Sequence, residues 1–205
     1  MKIRQPDDKL PQVLGEIQSA YGYIRRQKWT NAIVGAADTV HAAITLLTTV
    51  QTITTAITNP DFPRILSITG TKAGGSLTGN VVITGTNIRN EVISETIAIT
   101  ADTEVFGIKA FKTVTSIALP VRATSGDTVV VGCGDALGLD RCMNGNEVVL
   151  MTAGGVYETT RPTVAFDADE VEKNTVNPNT SLDGSADFAV VFVSTEKTSK
   201  RNTTA

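Results

Sequence analysis

The chain is short of the residues that build most known sites. Of its 205 residues two are cysteine, Cys133 and Cys142, and one is histidine, His41. Two thiols make no disulfide framework, and a single imidazole excludes a histidine-rich metal centre. Aromatic residues are 5% of the chain and tryptophan occurs once, which leaves little to stack on bases or sugar rings. A net charge of −3 lacks the cationic excess with which a general nucleic-acid binder neutralises phosphates. Residues 1–8 mix charges and hold no apolar core of a secretory signal. The stretch from Thr39 to Pro60 has no charged side chain and approaches the length of a bilayer span. Eight of its positions are threonine, however, and His41, Gln51 and Asn59 add further polar groups. Two strands are expected there, not a membrane helix.

Threonine is abundant, at 31 residues, and with Val and Ile it dominates the middle of the chain. These β-branched side chains are stiff at χ1 and fit a pleated, half-buried surface. The length suits one domain, or one domain plus an arm, and is enough to bury a core without disulfide or metal. The expected fold class is mainly β: an antiparallel sandwich or barrel-like body with an N-terminal arm that contains a short amphipathic helix.

Residues 1–37 are read as that arm. Leu10, Val13, Leu14, Ile17, Tyr21 and Ile24 recur at three- and four-residue steps, an apolar stripe along one side of a helix. Asp7 or Asp8 caps it and Pro11 fits its first turn, while Gly15 and Gly22 each weaken it by about 1 kcal/mol. Lys2, Arg4, Lys9, Arg25, Arg26 and Lys28 stand against three acids over residues 1–30. This is a basic arm on an acidic body.

From Thr39 the period becomes two. Strands are expected at Thr39–Leu47, Val50–Ile57, Arg64–Thr71, Asn80–Gly85, Val92–Thr100, Phe111–Leu119 and Thr128–Gly132. Within Val92–Thr100, Glu95 breaks the row of Ile93, Ile97 and Ile99, which fits an edge or a partner contact. Turn chemistry at Asn59–Pro63, Gly74-Gly75 and Ser125–Asp127 separates these runs. Residues 38–136 thus form a β domain, and 137–195 a second strand set or its continuation. There Glu147–Thr152 and Val156–Arg161 flank a hairpin signal, and Ala186–Val193 is a nearly continuous apolar run. The polar tail, 196–205, is expected to be disordered in solution.

Little in the sequence assembles chemistry. His41 lies between apolar neighbours, where a structural role is the simpler reading. Gly132-Cys133-Gly134-Asp135-Ala136-Leu137-Gly138 misses the dinucleotide fingerprint by one position, and no helix pattern follows it; it reads as a tight turn leaving a strand. Cys142 lies nine residues on, without the paired spacing of zinc sites. Asp167, Asp169 and Glu170 form the densest acid cluster, but without the spacing and glycine of a calcium loop. No catalytic residue, cofactor or metal site is expected.

Several segments are familiar as an ordered set. They are Thr52-Ile-Thr-Thr-Ala-Ile-Thr-Asn-Pro-Asp-Phe-Pro-Arg64, Gly79-Asn-Val-Val-Ile-Thr-Gly-Thr-Asn87, Ala110-Phe-Lys-Thr-Val-Thr-Ser-Ile-Ala-Leu-Pro120 and Val131-Gly-Cys-Gly-Asp-Ala-Leu-Gly-Leu139, with Pro162-Thr-Val and Glu172-Lys-Asn-Thr-Val downstream. Together, over roughly residues 38–195, they resemble a family of tailed-bacteriophage virion structural proteins, β-rich and non-enzymatic. The resemblance excludes the arm and brings no site residue with it. It implies a protein of the virion, assembled in the host bacterial cytoplasm. Capsid decoration, neck and tail parts are all built from such domains.

The expected role is a capsid cement or decoration protein that grips the major capsid protein and copies of itself, without membrane or sequence-specific nucleic acid. A neck or tail component is the alternative, and a receptor- or carbohydrate-binding module a more distant one. The expected partner contact is the arm, with Leu10, Val13, Leu14, Ile17, Tyr21 and Ile24 buried on docking and Arg25, Arg26 and Lys28 aligning it. On that reading the body stays folded when residues 1–30 are deleted.

Overall fold

The structure, a computed structural model, describes residues 16–19 and 22–194. In chain order its strands are β1 (Glu16–Ser19), β2 (Gly22–Trp29), β3 (His41–Thr45), β4 (Gln51–Ile53) and β5 (Arg64–Thr71). There follow β6 (Asn80–Thr86), β7 (Val92–Ala98), β8 (Glu104–Phe111), β9 (Thr113–Leu119) and β10 (Thr128–Gly138). The last third adds β11 (Val148–Ala153), β12 (Val156–Tyr157), β13 (Thr163–Ala165), a single 3₁₀ turn at Val171–Lys173, β14 (Thr175–Asn177) and β15 (Phe188–Ser194). The chain is mainly β, and its named strands all pair antiparallel, with a sheet that curls as half of a barrel. Among the described residues no helix is long and apolar enough to cross a membrane.

Three sheets share two cores. One sheet runs β4-β9-β6-β7, a second β13-β14-β10-β5-β8 with β3 also on β10, and a third β1-β2-β15-β11-β12. The first core packs Leu66 and Ile68 of β5 and Val129 and Val131 of β10 against Val81, Ile83, Ile97 and Ile117 of the first sheet. The second packs Trp29, Phe188, Val190 and Phe192 against Leu137, Leu139, Met143 and Val176. Strand β10 joins them. Its first half pairs β3 and β5, its last residues pair β14, and a register shift between Cys133 and Leu137 separates the two parts.

That shift corrects the reading of the glycine-rich run as a turn. Gly132, Gly134 and Gly138 lie inside an eleven-residue strand. The segment 35–37 crosses β10 backbone to backbone: Cys133 N–H donates to the Ala36 carbonyl (3.0 Å) and Val40 N–H to that of Val131 (3.0 Å). A Cβ on Gly132 would collide with the Ala36 carbonyl oxygen, and one on Gly35 with that of Cys133. Glycine is needed here for close approach.

The expected helix does not appear among the described residues of the arm. Glu16–Ser19 and Gly22–Trp29 are strands that pair with each other, and β2 then pairs with β15 from Tyr23 to Trp29. Tyr23, Ile24 and Trp29 suit a strand, and the long partner supplies backbone bonds that a glycine-weakened helix would have to make alone. Leu10, Val13, Leu14 and Tyr21 lie outside the described residues, as does the tail from residue 195.

Candidate functional site

Strand β2 sorts the expected partner residues by alternation. Arg25, Gln27 and Trp29 face inward. Arg25 pairs with Asp140 (2.6 Å), Gln27 Nε2 donates to the Gly138 carbonyl (2.9 Å), Gln27 Oε1 accepts the Asp140 N–H (2.9 Å), and Trp29 is buried in the second core. Arg25 therefore serves the body's own packing. Ile24, Arg26 and Lys28 occupy the other face, and Ile17 is the register partner of Ile24. Cross-strand neighbours on that face are Val193 opposite Ile24 and Val191 opposite Arg26, both half-buried, with Leu150 opposite Val191 in turn.

Beyond this apolar row the face opens into a cleft of about 580 Å³. Arg26, Lys28, Thr30, Gly154, Gly155 and Asp187 line it. Lys28 pairs with Asp187 at 2.6 Å and holds its carboxyl below the usual range. The surface is a shallow polar basin continued by an apolar strip.

The residues weighed for catalysis or metal are dispersed. His41 Nδ1 meets the Ala42 carbonyl at 2.7 Å. Cys133 and Cys142 are buried and in no disulfide, and burial pushes the Cys133 thiol up, away from the reactive thiolate. Cys133 lines an apolar hollow of about 310 Å³ beneath Ile33 and Val34. There the buried Arg64 donates to the Ile33 carbonyl (2.9 Å) and pairs with Asp61 (2.7 Å). Asp167 turns its Oδ1 to the N–H groups of Asp169 and Glu170, both at 2.9 Å, which holds its carboxyl low, while Lys173 pairs with Glu170. This acid cluster staples its own loop. Among the described residues no three His, Cys, Asp or Glu side chains gather as a metal ion needs.

One feature escaped the sequence reading, a buried polar seam where β7 meets β8. Glu95 is 9% exposed, and its carboxylate accepts the N–H of Ile108 (2.6 Å) and of Lys109 (3.4 Å). It sits in the space left by the missing side chain of Gly107. Burial outweighs those bonds and pushes its carboxyl up. Next to it Glu172 accepts from Lys109 Nζ (3.4 Å) and from Asn87 Nδ2 (3.2 Å). The break at Glu95 was the only signal; its partners come from other parts of the chain. Exposed apolar residues also collect on β8, as Phe106 and Ile108, and on the β11–β12 hairpin, as Val149, Val156 and Tyr157.

No family model, no curated protein and no solved structure matches this chain.

Proposed function

We propose that this chain is a non-enzymatic structural protein of a tailed-phage virion, a cement or decoration protein that stabilises the shell of the major capsid protein. The observation that carries the reading is the ordered set of motifs from Thr52 to Val176. The fold supports it in kind: an antiparallel β-body whose buried Glu95 and Asp127 carboxylates are spent on backbone amides at sheet edges and loops. The outer face of β2 joins the cations Arg26 and Lys28 to the half-buried Ile24, Val191 and Val193. Phe106, Ile108, Val156 and Tyr157 expose further apolar area of the type that marks contact surfaces.

Particles of the phage that encodes the chain, grown without it, test this. Under the cement reading complete tailed particles still form, and their shells release DNA at a lower temperature than wild type. Tail-less heads would move the protein to the neck, and particles unchanged in both respects would refute the proposal.

A further inference from the structure

The seam between β7 and β8 holds an arrangement that the cement reading does not use. Asn87, at the turn after β6, is 1% exposed, Glu172 on the 3₁₀ turn is 8% exposed, and the Lys109 side chain on β8 is 19% exposed. Both oxygens of the Glu172 carboxylate are engaged: Oε1 meets Lys109 Nζ at 3.4 Å and Oε2 accepts from Asn87 Nδ2 at 3.2 Å. A primary amine and a carboxamide thus sit on one buried carboxylate. The carboxamide is also polarised at both ends. Its Oδ1 accepts the N–H of Arg89 (2.9 Å) and of Glu91 (3.1 Å), and its Nδ2 donates to Glu91 Oε2 (2.8 Å) as well.

We propose that Lys109 and Asn87 join in an intramolecular isopeptide bond, with Glu172 as the proton carrier. Lys109 Nζ gives a proton to Glu172 Oε1 and moves its freed lone pair onto Asn87 Cγ. The C=O π pair shifts to Oδ1, where the Arg89 and Glu91 N–H groups stabilise the oxyanion. On collapse the Cγ–Nδ2 bond breaks, and Nδ2 departs as ammonia after taking a proton that Nζ sheds through the same carboxyl group. An alkylammonium and a carboxamide become a secondary amide and an ammonium ion, so atoms and charge balance with no oxidant, reductant or water consumed. The step occurs once per molecule. It ties β8 of one sheet to the turn that ends β6 of another, and the burial of Asn87 keeps competing water from the acyl carbon while Glu172 gathers the amine and the carboxamide on its two oxygens.

Intact-mass spectrometry of the purified full-length chain tests the proposal directly. The expected mass is that of the sequence less one ammonia, and a tryptic digest yields a branched pair that links the Asn87 and Lys109 peptides. Lys109→Arg keeps the cation beside Glu172 but removes the attacking amine, and Glu172→Gln removes the proton carrier; both variants are expected at full mass. Cyclisation at Asn144-Gly145 also loses one ammonia, so a deficit that persists in K109R, without the branched pair, would overturn the proposal. Wild-type protein at full mass after prolonged incubation would overturn it as well.

Discussion

Replacing Glu95 probes how the two sheets are held together. In Glu95→Ala the N–H groups of Ile108 and Lys109 lose their carboxylate, and a hollow opens above Gly107. A hydrogen bond to a charged group contributes about 1.5–3 kcal/mol. The 2.6 Å bond to Ile108 earns most of that and the 3.4 Å bond to Lys109 little. The Ile108 residue is 63% exposed, so water partly replaces its lost acceptor, and a net cost of about 2 kcal/mol follows. With a urea m-value of about 2 kcal/mol/M the midpoint falls by about 1 M. Trp29, the only tryptophan and fully buried, reports the transition by fluorescence. The sign of the pH dependence is set by the raised carboxyl. Because the folded form holds its proton above the ordinary 4.5, the contribution of Glu95 is fully present below that value and declines as pH rises through the folded pKa. Glu95→Gln removes this titration, so the stability of wild type minus that of E95Q shrinks from pH 4 to pH 7. An E95A midpoint equal to wild type, or a gap that widens with pH, would refute the reasoning.

Three further outcomes are expected. Gly132→Ala forces a Cβ against the Ala36 carbonyl and lowers stability by about 1–3 kcal/mol, measured by the same urea titration; an unchanged midpoint contradicts the crossing of segment 35–37 over β10. Arg26→Glu with Lys28→Glu leaves melting nearly unchanged, since the Lys28–Asp187 pair is exposed and such pairs contribute about 0–1 kcal/mol, yet reduces incorporation into particles; normal incorporation removes β2 from the docking surface. Deletion of residues 1–30 removes β2 and the buried Trp29, so the truncated chain loses cooperative unfolding, contrary to the expectation from sequence; a sharp melt would show that β15 does not need its neighbour.

What was legible in the sequence follows from where alternation survives. Strand β5 has the expected bounds, Arg64–Thr71, and β7 alternates buried and exposed from Ile93 to Ala98 as the Ile and Thr spacing implied. The period-two signal fails where a strand's inward face is polar. β2 turns Arg25 and Gln27 inward to Asp140 and Gly138, so its few apolar residues matched helical spacing instead. β8 exposes Phe106 and Ile108 and was missed. Strand β10 was cut short because three glycines look like a turn until the backbone that lies on them is known. The short β13 and β14 carry too few residues to show a period. The outer face of β2 was legible as basic residues, but which of them point outward depends on strand rather than helical alternation. The seam was illegible for a different reason: Asn87 and Glu172 stand 85 residues apart, and only the sheet topology brings them together.

The central claim, that this protein belongs to the capsid shell, is tested most directly by its copy number in purified particles, read by quantitative mass spectrometry against the major capsid protein. A shell cement protein is present in hundreds of copies, in fixed ratio to the capsid subunit. A dozen copies or fewer, or none, would contradict the account.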